Sequence, residues 1–192
     1  MTATINILGL SGSLRRQSAH TAILRTVAER LPEHVRLTRY GLNDIPPYNE
    51  DDDGAHAPQA VIALRAAVAA ADGVLIGSPE YNHGMSGVLK NALDWLSRPH
   101  GKSALQGCPV LSFTASPAFT GGVRAHQQLN ETLWAIQALQ VAYPQIVIGN
   151  VTSKIEHGQL RDESARAFLL DGVVALIAQI AREPARRSSR CP

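Results

Sequence analysis

The spacing of apolar residues changes period repeatedly along this chain. Residues 5–10 read Ile-Asn-Ile-Leu-Gly-Leu and run into Ser11-Gly12-Ser13, the pattern of a mostly buried strand feeding a tight turn. From Ser18 the period becomes helical: Ala22, Ile23, Val27 and Leu31 share a face, with Ser18 placed to cap the helix and Pro32 to stop it. Residues 35–40 alternate apolar and polar, which predicts a second strand. Residues 59–71 are Ala-rich and helical, and residues 73–77 form a continuous apolar run of the kind buried on both faces of a sheet. Residues 86–96 predict a helix with Val88, Leu89, Leu93 and Leu96 inward. A strand at 109–113, a long helix at 122–139, a fifth strand at 143–149 and a last helix at 162–182 complete the series. Strand and helix alternate five times. That order demands a parallel sheet covered by helices on both faces, and such sheets bind ligands outside the C-terminal strand ends.

The 192 residues are 45% hydrophobic, enough for one compact domain. We place that domain at residues 1–183 and read residues 184–192 as a disordered, solvated basic tail. Eighteen basic against sixteen acidic side chains leave a net charge of +2, which argues against nucleic acid as a partner and against an acidic docking surface. Two cysteines, Cys108 and Cys191, suggest neither a structural disulfide nor a metal site. The N-terminus lacks the pattern of a signal peptide, and the apolar run at 172–181 is too short to cross a bilayer. The expectation is a cytoplasmic protein without membrane association. The connection at 42–58, with Pro46-Pro47 and acidic residues 50–53, is long enough to suggest function.

Three loops follow predicted strands and carry the chemistry. In the first, residues 11–18, a glycine turn brings hydroxyls, the Arg15 guanidinium and the amides of a helix N-terminus together. This is a recipe for an anion site; a Ser-rich turn with Ser18 as a simple cap fits equally well. The loop has neither a GxGxxG dinucleotide fingerprint nor a Walker ending. The second loop begins Ser78-Pro79-Glu80-Tyr81-Asn82-His83-Gly84. Tyr81 offers a flat face for an aromatic ring and Asn82 a donor at its edge, although both also suit an ordinary loop, and His83 is more simply a solvated residue. The third holds Ser116-Pro117 and Gly121-Gly122 ahead of Arg124, where small residues leave room for a ring.

Taken together, Gly12-Ser13-Leu14-Arg15 with Ser18, Pro79-Glu80-Tyr81-Asn82 with the run Gly87 to Trp95, and Gly121-Gly122 with Arg124 resemble the NADPH-dependent FMN reductase family. The likeness is greatest to its bacterial chromate and quinone reductase branch, which includes azoreductases. The segment 46–51 resembles that branch as well. The resemblance spans roughly residues 5–139. It implies a flavodoxin-like α/β three-layer sandwich, with a five-stranded parallel sheet in the order 2-1-3-4-5. It implies bound FMN and NADPH or NADH as co-substrate. Ser13, Arg15 and Ser18 would sit at the phosphate, with Gln17, Ala19 and His20 close by. Pro79, Glu80, Tyr81 and Asn82 would surround the ring, with Ser116 and Gly121 near its far side. Self-association to a dimer or tetramer is implied too. The chain departs from the family pattern at Ser86, where proline is common, and at His20, where asparagine is common.

The implied activity is hydride transfer from NAD(P)H through FMN to a small acceptor: a free flavin, a quinone, an azo compound or chromate. The expected order is ping-pong, with no single side chain indispensable as acid or base. The alternative is a flavodoxin-type electron carrier with no substrate of its own. Such carriers usually wear a strongly acidic surface, which +2 does not provide. For NADPH selectivity, Arg16, His83 and Arg124 form the candidate group.

Overall fold

The structure, a computed structural model, describes residues 4–183; the predicted basic tail and Cys191 lie outside these residues. In chain order the elements are β1 (Ile5–Ser11), α1 (Ala19–Ala28), β2 (Val35–Tyr40), α2 (Gln59–Ala70), β3 (Gly73–Ser78), β4 (Glu80–Tyr81), β5 (Gly84–Met85), α3 (Gly87–Leu96), β6 (Pro109–Ala115), α4 (Val123–Ala135), β7 (Leu139–Gln140), β8 (Ile146–Ile148), β9 (Ile155–Glu156), β10 (Gln159–Leu160) and α5 (Glu163–Arg182). The main sheet is parallel and ordered β2-β1-β3-β6-β7, with β8 also pairing β6.

The strand order is that of the flavodoxin-like expectation, with one difference at the edge. Its fifth position is shared by two short strands, so the sheet has six strands rather than five. β7 pairs with Pro109 and Val110 at the start of β6, and β8 with Phe113 to Ala115 at its end. Pro144 lies between them and has no N–H to give a ladder, so pairing lapses there and resumes at Ile146. The helix predicted to reach residue 139 stops at Ala135. Gln137 takes a left-handed φ of 61°, which ends the helix and turns the chain into β7.

Alternation along the strands divides the core in two. Leu8, Leu10, Val74 and Ile76 pack with α2, α3 and α4 on one face. Ile5, Ile7, Leu75, Leu111 and Phe113 pack with α1 and α5 on the other. α5 has 20 residues and is apolar enough, by length and composition, to cross a membrane. The apolar run at 172–181 is only its second half. Here the helix lies on the sheet through a stripe of Leu169, Val173, Leu176 and Ile180.

The connection at 42–58 is stapled to α3. The Pro46 carbonyl accepts from Asn91 Nδ2 and Trp95 Nε1, each at 2.8 Å, and Tyr48 N–H donates to Asn91 Oδ1 at 2.7 Å. Part of the family-like run Gly87 to Trp95 is thus spent on holding a loop. The three loops emerge at the C-terminal ends of the neighbouring parallel strands β1, β3 and β6.

Candidate functional site

The first loop leaves β1 under tight control. Gly12 N–H donates to the Gly77 carbonyl at 2.8 Å, and Ser18 N–H closes the turn on the Arg15 carbonyl at 3.1 Å. Ser18 caps α1, its Oγ accepting from Thr21 N–H at 3.2 Å. The capping reading therefore holds, but the Ser18 hydroxyl proton remains available to a ligand. The amides of Leu14, Arg15, Arg16 and Gln17 donate to nothing among the described residues. They lie just ahead of the positive end of α1, the arrangement that takes an anion. Ser86 locks this loop to α3: its Oγ donates to the Gly12 carbonyl at 2.6 Å and accepts from Leu89 N–H at 3.3 Å. A proline at 86 could not make that bond.

The second loop is a hairpin the sequence reading did not foresee. β4 and β5 pair antiparallel, Glu80 with Met85 and Tyr81 with Gly84. Asn82 and His83 form its two-residue turn with φ values of 50° and 67°, as a hairpin turn of the primed kind requires. Glu80 Oε2 accepts from the free amides of Arg124 at 3.0 Å and Ala125 at 3.1 Å, at the N-terminus of α4. The Arg124 guanidinium sits 3.9 Å from the other carboxylate oxygen. Met85 N–H donates to Gln128 Oε1 at 2.7 Å. The hairpin is thus anchored on α4 while Tyr81 stays 52% exposed, leaving a ring face free to stack.

His20 lies in the floor between them. It is buried and stacks on Phe113, ring centroids 5.9 Å apart. Burial pushes its pKa down to about 4, against a smaller opposing pull from the main chain of Ser78 and Ala115. Neither main-chain group reaches hydrogen-bonding geometry with Nε2, which is left buried and unpartnered.

These parts enclose one cleft of about 640 Å³, within the range that small-molecule and cofactor sites occupy. Ser13, Arg15, Gln17, Ser18, Ala19 and His20 line it from the first loop and α1; Pro79, Glu80 and Tyr81 line it from the hairpin, and Ser116 from the third loop. Two expected residues are placed otherwise. Asn82 is at the hairpin turn and is not among the lining residues. Gly121, at φ 66°, is a close-approach residue: a Cβ there would meet the backbone of Val147, Ile148 and Gly149 at 2.9 Å. Of Arg16, His83 and Arg124, only Arg16 lines the cleft.

One wall was missed altogether. β9 and β10 form a second hairpin, with Thr152, Ile155, His157 and Gly158 facing the cleft. Its signal was present, a His-Gly pair between the apolar residues Ile155 and Leu160, but two-residue strands are too short to show a period.

The donors fit a flavin mononucleotide: unpaired amides and Arg15 for a phosphate, an orphaned buried nitrogen on the floor, and an exposed tyrosine face above. The family model described as NADPH-dependent FMN reductase matches residues 5–153. The chain belongs to the NADPH-dependent FMN reductase family. It is 35% identical over 177 residues to an NAD(P)H-dependent FMN reductase of Pseudomonas aeruginosa, covering 92% of this chain and 95% of that one. It is 31% identical over 169 residues to a quinone reductase of Pseudomonas putida, covering 88% and 91%. Among solved structures it is similar to FerB of Paracoccus denitrificans, a flavoenzyme NAD(P)H:(acceptor) oxidoreductase. The TM-score is 0.80 at 29% identity, over 93% of this chain and 98% of that one. Family membership makes FMN the cofactor and NAD(P)H the co-substrate.

Proposed function

We propose that this chain is an FMN-dependent NAD(P)H oxidoreductase that reduces a quinone or another small acceptor in ping-pong order. The observation that supports this most is the convergence of three strand-end loops on a single cleft with one exposed aromatic wall. Its relatives are named for FMN and quinone reduction. FMN held there would supply the two-electron chemistry, taking hydride from a nicotinamide and passing electrons on. The protein's part is to bind and orient. Ser13, Ser18, Arg15 and the amides of residues 14–17 would hold the phosphate, while Pro79, Tyr81 and Ser116 would frame the ring. Gln17, Ala19 and His20 would line the path between them. Glu80 acts through α4, fixing the hairpin that carries Tyr81.

Neither Glu80 nor His20 is set up as a proton donor or acceptor for the reaction. Glu80 is spent on helix amides, and His20 is neutral and buried. A shared site open on one side would make the two substrates alternate. We further infer that residues 1–183 act as one unit in the cytoplasm and that the protein self-associates. Phe119, Val123 and Trp134, on α4 and the loop before it, are exposed apolar residues suited to a second copy.

The test is a steady-state assay of the FMN-loaded protein with NADPH or NADH and a panel of quinones, free flavin, azo dye and chromate. Sustained nicotinamide consumption and parallel double-reciprocal lines are expected. A protein that is reduced once and does not turn over with any acceptor would be a carrier instead.

A further inference from the structure

The cleft is longer than the flavin reading uses. Beyond the first loop it continues as a groove between α1 and the β9–β10 hairpin. Ser18, Ala22 and Arg25 line it from one face of α1, at positions i, i+4 and i+7. Thr152, Ile155 and His157 line the opposite wall. The hairpin is fixed there from beneath: buried Thr26 Oγ1 accepts from Leu160 N–H at 2.8 Å and donates to the Ala22 carbonyl at 3.0 Å. The Arg25 guanidinium reaches across to the hairpin turn. A Cβ on Gly158, whose φ is 73°, would lie 2.8 Å from Arg25 Nη1.

The groove is positively charged and lacks a counterion of its own. Among the described residues, Arg15, Arg16 and Arg25 make no ion pair. Glu29, the C-cap of α1 one turn beyond Arg25, accepts from Gln159 Nε2 instead. Glu80, the one carboxylate lining the cleft, is held by α4 amides. If Arg15 and the loop amides serve the FMN phosphate, Arg16, Arg25 and His157 remain for a second anion. Two guanidiniums and an imidazole at a groove end suit a terminal phosphate monoester. They do not suit an adenine ring, which would need a flat apolar wall.

We propose that this groove binds the 2′-phosphate of NADPH through Arg25 and His157, with Arg16 at its upper rim. The proposal rests on the oxidoreductase reading above and adds the residues that would distinguish NADPH from NADH. It replaces the group Arg16, His83 and Arg124, of which only Arg16 lines the cleft.

The test compares the FMN-loaded full chain with Arg25→Gln and His157→Ala. 2′,5′-ADP and 5′-AMP are titrated as probes, and KM is measured for both nicotinamides. Wild type is expected to bind 2′,5′-ADP more tightly than 5′-AMP. Arg25→Gln should weaken 2′,5′-ADP and raise the NADPH KM by about tenfold, the worth of one charge-assisted contact. His157→Ala should act in the same direction and less strongly. Both should leave the NADH KM, kcat and the FMN Kd nearly unchanged, and a merely structural role for Arg25 would move none of these selectively. Equal losses for NADPH and NADH would overturn the proposal, as would weakened FMN binding in Arg25→Gln, or equal affinity of wild type for the two probes. The two readings fail separately. A protein with the expected probe selectivity but no turnover refutes the oxidoreductase and keeps the anion site. A protein that turns over with unchanged selectivity in Arg25→Gln does the reverse.

Discussion

Arg15 and His20 place opposite demands on the same cleft. Arg15 is exposed on a turn whose neighbouring amides are unpaired, so its charge has no evident use except an anion. Arg15→Ala is expected to weaken FMN at least about tenfold, the loss of a charge-assisted phosphate contact, with little change in the stability of the FMN-free protein. Fluorescence titration of free FMN measures this, and unchanged affinity would remove the phosphate assignment. His20 is a matter of burial. Its pKa falls from an ordinary 6.5 to about 4 in the folded chain, so between these values the unfolded chain binds more protons. Stability is therefore complete above about pH 6.5 and is lost as pH falls toward 4, by roughly 3 kcal/mol in all. Burial depresses His126 in the same direction. In urea unfolding of the FMN-free protein, His20→Asn should lose much less stability between pH 7 and pH 4.5 than wild type does. Equal losses would mean that His20 is not buried neutral. The sequence offered Arg15 as an anion ligand beside a glycine turn, with a plain capped turn equally open until the other two loops were weighed with it. It did not show what His20 does, because the same residue on a helix reads alike whether it faces water or the Phe113 ring.

Among the elements, the long repeated patterns were legible and the short ones were not. All five helices were foreseen, α1 and α3 from apolar residues at helical spacing and α2 from its Ala-rich composition, and β1 and β3 as apolar runs. The β4–β5 and β9–β10 hairpins each rest on two-residue strands, below the length at which alternation can be detected, yet they form two walls of the cleft. The role of Glu80 was hidden for a related reason. A carboxylate beside Tyr81 looks like a ring contact, but its partners are amides 44 and 45 residues further along the chain. Glu80→Ala should cost about 2 kcal/mol, because it removes two charge-assisted bonds and uncaps α4. It should also weaken FMN by loosening the hairpin. Glu80→Gln, which can still accept, should restore part of both in urea unfolding and FMN titration. Ser86→Ala should cost about 1 kcal/mol as a lost cap and loosen FMN as well, because the Gly12 carbonyl loses its donor. If Ser86→Ala changes stability but not FMN affinity, the link from α3 to the first loop has no functional consequence.

For the whole molecule, the location of exposed apolar surface matters more than its amount. Phe119 is 84% exposed and Trp134 77%, and both belong to α4 and its leading loop, the unit onto which the Tyr81 hairpin is anchored. A tryptophan left in water forgoes a large burial gain, on the order of 2–3 kcal/mol for a side chain of this size. A second copy packed on α4 would recover that gain and cover the outer side of the unit that carries one wall of the cleft. Trp134→Glu replaces an anchor with a charge that resists desolvation. It leaves the α4 core residues Ala125, Leu129 and Leu133 in place. The variant is expected to sediment as a monomer at micromolar concentration where wild type does not, with the same circular dichroism. If α4 is the shared surface, FMN retention and turnover should fall with dissociation and recover at high protein concentration. Wild type that is monomeric at all concentrations, or a Trp134→Glu variant that assembles as wild type does, would leave this face exposed for another reason and remove α4 as the contact between copies.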